Sequence, residues 1–115
     1  MKLYVNLLLL TIVTYAYPLA VFHGLSHSCD GLKNTETYLK NELETYVVCI
    51  ETGAGSDSYM TSLEHQYEKG CRIIKENENF KDDFSILGFS QGTLIGRMII
   101  ERCLTPGMVK RFVSV

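Results

Sequence analysis

Short apolar runs alternate with amphipathic stretches along most of the 115-residue chain, and this alternation restricts the fold more than any other feature. The apolar runs occupy residues 18–22 and 46–50, two further strand-like segments occupy residues 83–89 and 110–115, and glycine, proline or polar residues bound them. Continuous apolar runs of this length are typical of strands that are buried on both faces. The stretches between the runs carry apolar residues at helical spacing, from Gly31 to Glu44, from Ser58 through Ile74 and from Gln91 to Cys103.

Four strands separated by three helices predict an α/β fold with a mostly parallel sheet of about four strands. Right-handed crossovers place the helices on both faces of such a sheet. The length suits one domain with a single core. A hydrophobic content of 46% with 21% charged residues argues against disorder.

The first 16 residues differ from the remainder. Met1-Lys2 gives a positive start, residues 3–15 are almost uninterruptedly apolar, and Thr14-Tyr15-Ala16 ends in a small residue, as cleavage sites do. The apolar run is shorter than the roughly 20 residues of a membrane span. We therefore predict a secretory signal peptide over residues 1–16, followed over residues 17–115 by part of a folded domain with no integral membrane span. An uncleaved anchor and a buried first strand are the alternatives.

Composition excludes several functional classes. The formal net charge is −2, and no run of basic residues is longer than Lys110-Arg111, so nucleic-acid binding is not supported. The cysteines form no C-x-x-C pair and do not group with histidines, so no metal or other cofactor is expected. In an oxidising compartment some of them could pair, but the sequence leaves the pairing open. The four cysteines are Cys29, Cys49, Cys71 and Cys103.

The motif that carries chemistry is Gly88-Phe89-Ser90-Gln91-Gly92, which matches G-x-S-x-G. It falls where the third predicted strand meets the third predicted helix, which is the context of a nucleophile elbow. Residues without a Cβ fit two positions before and after the serine, so Gly88 and Gly92 allow the tight turn. We therefore predict Ser90 as a nucleophile and the Gln91 backbone N–H as one donor of an oxyanion hole.

The second oxyanion donor is expected in the loop after the first strand, residues 23–29. Gly24 lets the backbone approach a substrate, which makes the Leu25 N–H the natural donor. His23 and His27 lie on this oxyanion side, and we interpret them as residues that shape the loop rather than as the catalytic base. His65 falls on the exposed side of a predicted helix.

These residues together resemble the palmitoyl-protein thioesterases of the α/β-hydrolase superfamily. The similar segments are residues 18–29, a strand that runs through His-Gly into a loop ending in Ser-Cys, residues 48–53, and the elbow at 88–92. The resemblance implies hydrolysis of long-chain acyl thioesters on S-acylated proteins through an acyl-enzyme on Ser90, usually in the lysosome. It also implies a disulfide between Cys71 and Cys103.

In α/β-hydrolases an acid and then a histidine follow the serine along the chain. After Ser90 this sequence has no His and no Asp, and its only acid, Glu101, lies on the elbow helix. We therefore expect an N-terminal, nucleophile-bearing fragment that is nearly inactive alone, from a protein that is lysosomal or secreted. A lipase or carboxylesterase acting on oxygen esters and a secreted, non-catalytic truncated isoform are the alternative readings.

Overall fold

The structure is a computed structural model that describes residues 16–115. The predicted signal peptide lies, apart from Ala16, outside the described residues. Within residues 16–115 no helix is long and apolar enough to cross a membrane. The elements are β1 (Leu19–Phe22), α1 (Lys33–Leu43), β2 (Val47–Cys49), α2 (Asp57–Met60), α3 (Leu63–Glu76), β3 (Phe84–Gly88), α4 (Gln91–Arg102) and β4 (Val109–Ser114).

The four strands form one parallel sheet in the order β2-β1-β3-β4, which confirms the predicted α/β fold. The strands β1 and β3 are neighbours, and Phe22 at the end of β1 is paired with Gly88 at the end of β3. The loop that follows β1 and the turn that follows β3 therefore leave the sheet side by side. Ligands in open α/β sheets bind at such carboxyl ends.

Helices cover both faces of the sheet, as predicted. On one face, Phe22 and Ile86 pack with Ile74 of α3 and with Ile99 of α4. On the other face, alternate residues of the same strands pack against α1, mainly at Leu39. Each buried Ile or Phe side chain contributes roughly 1.5–3 kcal/mol relative to its exposed state. The central strands β1 and β3 are therefore buried on both sides, which explains their lack of polar alternation, whereas the edge strand β4 is largely exposed.

The helical pattern predicted from Ser58 is two helices in the structure, not one. Thr61 is extended, with φ −95° and ψ 138°, and it separates α2 from α3. Ser62 caps α3, because its side chain accepts a hydrogen bond of 3.1 Å from the His65 amide. The prediction was wrong here because Tyr59 matches the helical spacing but is 57% exposed and anchors nothing in the core.

Two disulfides connect the elements. The Cys71–Cys103 disulfide, which the family resemblance implies, joins α3 to the end of α4. The second disulfide, Cys29–Cys49, joins the loop after β1 to the last residue of β2. The Cys29 end of that loop is thus held close to the sheet.

Candidate active site

Ser90 lies at the sharp turn between β3 and α4, and its side chain is exposed. Its backbone has φ 51° and ψ −118°, a conformation that residues with a Cβ rarely adopt. Strain of this kind costs about 1–3 kcal/mol and is concentrated at functional sites. The turn holds the hydroxyl outside the sheet, in the position that the G-x-S-x-G motif predicts.

The two motif glycines are required by close backbone approach. A Cβ on Gly88 would lie 2.6 Å from the Thr93 Cα. A Cβ on Gly92 would lie 2.6 Å from the His23 carbonyl oxygen, and closer still to that of Phe22. Real Cβ atoms essentially never approach within 3.0 Å of such atoms. Gly92 thus allows the start of α4 to rest directly on the end of β1.

Backbone hydrogen bonds hold the elbow against β4. The Ser90 N–H donates to the Val115 carbonyl at 2.9 Å, and the Val115 N–H donates to the Gly88 carbonyl at 2.9 Å. The Thr93 hydroxyl donates to the same Gly88 carbonyl at 3.0 Å. Thr93 therefore fits the start of the helix and also links the helix to the strand.

The loop after β1 faces Ser90 directly. A Cβ on Gly24 would lie 3.2 Å from the Ser90 Cβ, so a side chain here would force the elbow to move by a few tenths of an ångström. Leu25 and Ser90 line one pocket of about 250 Å³, together with His27 and Phe89. A larger cavity of about 650 Å³ lies beside α1, but neither Ser90 nor Leu25 lines it, so cavity size does not locate the chemistry.

Glu51 fixes both ends of this loop, and sequence reasoning did not identify it. One carboxylate oxygen pairs with the His23 Nε2, and the other accepts a hydrogen bond of 3.0 Å from the Cys29 N–H. Burial acts to raise the pKa of Glu51, but the bonds from Cys29 and His23 outweigh it and leave the pKa below its ordinary value. The ionised carboxylate is therefore the form that holds the loop.

His23 is buried, and its second ring nitrogen, Nδ1, contacts the Gly24 carbonyl oxygen at 2.9 Å. Both of its nitrogens are engaged, so neither is free to accept a proton from Ser90. This arrangement supports the loop-shaping interpretation. His23, Cys29 and Glu51 also lie close enough together for a metal site. The Cys29 sulfur is in a disulfide, however, and thiolates are the sulfur ligands of metals.

The remaining candidates lie away from the reaction centre. His65 is exposed at the start of α3. Glu101 forms an exposed ion pair of 3.0 Å with Arg97, one turn earlier on α4. At 1.5 Å per residue, Glu101 lies roughly 16–17 Å from Ser90 along the axis of α4. Glu101 is therefore not placed to act as the acid of a triad.

The parallel sheet with covering helices and a serine elbow at the end of β3 defines a partial α/β-hydrolase fold. Within that class, the family model described as Palmitoyl protein thioesterase matches residues 18–115, so the chain belongs to this family. Palmitoyl-protein thioesterase 3 of Dictyostelium discoideum is 27% identical to the chain over 101 residues. That match covers 86% of this chain but only 35% of the relative, so the chain spans about a third of the relative's length.

Proposed function

We propose that Ser90 is the nucleophile of a thioester hydrolase that removes long-chain fatty acyl groups from cysteines of lipidated proteins. The observation that carries the proposal is the strained, exposed elbow at Ser90 facing the turn at Gly24. Family membership supports the same reaction class.

In the proposed reaction, the Ser90 Oγ attacks the thioester carbonyl carbon while a base removes its proton. The Leu25 and Gln91 amides stabilise the oxyanion, and each such donor is worth ~2.7–4 kcal/mol. The C–S bond then breaks and the cysteine leaves as a thiol with that proton. Water hydrolyses the acyl-enzyme, which releases the fatty acid and restores Ser90.

The base and the acid of this reaction are not among residues 91–115, His23 is engaged with Glu51, and we interpret His27, which lines the pocket, as a residue that shapes the loop rather than as the base. We therefore expect a polypeptide of only these 115 residues to be nearly inactive. Loss of the base costs on the order of 10⁶ in kcat in subtilisin, where the remaining machinery keeps ~10³–10⁴ over water.

The compartment belongs to the same proposal. The two disulfides are compatible with an oxidising compartment, so we place the enzyme in the secretory pathway, as a lysosomal or secreted protein. The expected partners are S-acylated proteins or peptides.

The test uses the full-length gene product, its Ser90→Ala variant and the isolated 115-residue chain. Each is assayed with a palmitoyl thioester and with the matched palmitoyl oxygen ester. We expect thioester turnover only in the full-length protein, lost in Ser90→Ala. Faster turnover of the oxygen ester would favour a lipase or carboxylesterase. Absence of turnover with both substrates, and of Ser90 labelling by a fluorophosphonate, would favour a non-catalytic protein.

A further inference from the structure

A buried polar cluster connects the loop after β1 to the elbow, and its central residues do not line the pocket at Ser90. Its central residues, Ser58 of α2 and Gln66 of α3, are each 1% exposed. Every buried side-chain polar atom in the described part of the chain has a hydrogen-bond partner, and these two residues use all of their groups. Buried polar networks of this kind cost stability unless they are complete, so their position within the fold is informative.

Ser58 contacts the loop after β1 through its side chain. The Ser58 hydroxyl donates to the Gly55 carbonyl at 2.6 Å, which leaves its lone pairs to accept the Ser26 N–H at 2.7 Å. Ser26 directly follows Leu25 and has a φ of 64°, a left-handed conformation that is costly for serine. A second bond, from the Gly55 N–H to the His27 carbonyl at 2.9 Å, holds the same loop.

Ser58 contacts the elbow through its backbone. Its carbonyl accepts the Gln91 Nε2 at 2.7 Å and the Gln66 Nε2 at 3.0 Å. The Gln66 Oε1 accepts from the Gln91 Nε2 at 3.2 Å, while the Gln66 Nε2 also donates to the Thr61 carbonyl at 2.9 Å. The Gln91 side chain is thereby held away from the pocket, and its backbone is fixed at the start of α4.

We propose that Ser58 and Gln66 are positioning residues that set the distance between the two oxyanion amides. This inference rests on the proposed function, because it concerns the Leu25 and Gln91 N–H groups. Ser58 holds the residue after Leu25 by its hydroxyl and the side chain of Gln91 by its carbonyl. Ser58 therefore forms hydrogen bonds with both halves of the oxyanion hole, which follow β1 and β3.

The physical reason is preorganisation. Donors that point at the developing oxyanion accelerate the reaction because they need no reorganisation when charge forms. Without the Ser58 hydroxyl, the left-handed turn at Ser26 can relax into other conformations. Loosening it therefore acts on the transition state more than on binding of the neutral substrate, and the loss falls on kcat rather than on KM.

The test compares Ser58→Ala with Ser62→Ala in the full-length gene product. Both remove a hydroxyl that accepts a backbone N–H, but Ser62 caps α3 on the exposed surface. We expect Ser58→Ala to lower kcat roughly 10–100-fold with KM within about twofold, since a lost oxyanion donor costs ~10²–10³. Both substitutions should lower the urea midpoint, but Ser62→Ala should leave kcat unchanged. Ser58→Thr, which keeps the hydroxyl, should restore most of kcat.

The rate at which a fluorophosphonate labels Ser90 separates the two proposals. Absence of labelling in the unmutated protein refutes the proposed function. Normal labelling there, with Ser58→Ala within threefold of it or with the loss confined to KM, refutes the positioning role. Should Ser58→Ala not fold, Gln66→Met replaces it under the same criteria, because it removes both donated bonds, keeps a similar volume and buries no charge.

Discussion

Replacing Gly92 by alanine tests the elbow geometry directly. The new Cβ would lie 2.6 Å from the His23 carbonyl oxygen and closer to that of Phe22. Reaching 3.0 Å, the shortest distance that Cβ atoms tolerate, requires a displacement of about 0.4 Å at the His23 contact and a larger one at the Phe22 contact. Both obstacles are backbone atoms at the entrance to the loop after β1, so the displacement separates Ser90 from Leu25.

The magnitudes follow from this displacement. Overpacking costs about 1–3 kcal/mol, against at most ~1 kcal/mol gained from alanine in a helix. We expect Gly92→Ala to destabilise the protein by about 1–2 kcal/mol. A misplacement of 1 Å costs ~10²-fold in rate, so a shift of about half that predicts a loss of roughly tenfold or more in Ser90 reactivity.

Gly96→Ala is the matched control, because Gly96 is also buried in α4. Its Cβ would meet Ile86 Cγ2 at 3.0 Å and Phe112 Cε1 at 3.2 Å. These are side-chain atoms that can move by a few tenths of an ångström, and Phe112 is partly exposed. We expect stability within about 1 kcal/mol of the parent protein and unchanged reactivity.

The assays are urea unfolding and fluorophosphonate labelling of Ser90 in the full-length gene product. If the Gly92→Ala variant has the same urea midpoint and the same labelling rate as the Gly96→Ala variant, the reasoning is refuted. It would show that α4 does not rest on the end of β1, or that the distance between the elbow and the loop has no effect on Ser90.

Three further predictions concern strain, pH and the first disulfide. Ser90→Gly should abolish activity yet raise the free energy of unfolding by about 1 kcal/mol, because glycine relieves the strained φ. Ser90→Ala keeps the Cβ and should not raise it. Equal free energies of unfolding for the two variants would contradict the strain at Ser90. Glu51 has a lowered folded-state pKa, so its contribution to stability is present above about pH 4.3 and is lost as the pH falls through the folded-state value. Glu51→Gln should therefore reduce the dependence of the urea midpoint on pH over that acidic range, and an unchanged pH dependence contradicts the assignment. Replacing Cys29 and Cys49 by serine should remove roughly 3 kcal/mol for the 20-residue separation and slow Ser90 labelling, whereas an unaltered labelling rate would show that the disulfide does not hold the loop.

The order of strands and helices could be predicted because it depends on local patterns. Apolar runs and helical spacing reflect local burial or strand propensity, and these patterns located all four strands to within a residue or two, including the largely exposed β4. The break between α2 and α3 was missed, since Tyr59 has the spacing of a buried residue but faces solvent. The signal that could have found it is Ser62, a favourable N-cap directly before Leu63.

In the candidate site, too, the residues set by a local motif could be predicted and those that act through distant contacts could not. The motif places Ser90 and its glycines from five consecutive residues. The roles of Glu51, Ser58 and Gln66 have no such local signal, because each acts on residues at least 22 positions away in one of its bonds. The same holds for the Cys29–Cys49 pairing, which the sequence left open.

By itself, the sequence determined the α/β alternation, the tight turn at Ser90 and the loop that could oppose it, because neighbouring residues specify each of these. Only the tertiary structure decided that His23 is engaged by Glu51, that Glu101 faces solvent, and that Ser58 ties the loop to the elbow. The physical reason is the sheet order β2-β1-β3-β4, which brings together the ends of strands that are distant along the chain. Contacts between such ends depend on three-dimensional packing, and no pattern within a single segment encodes them.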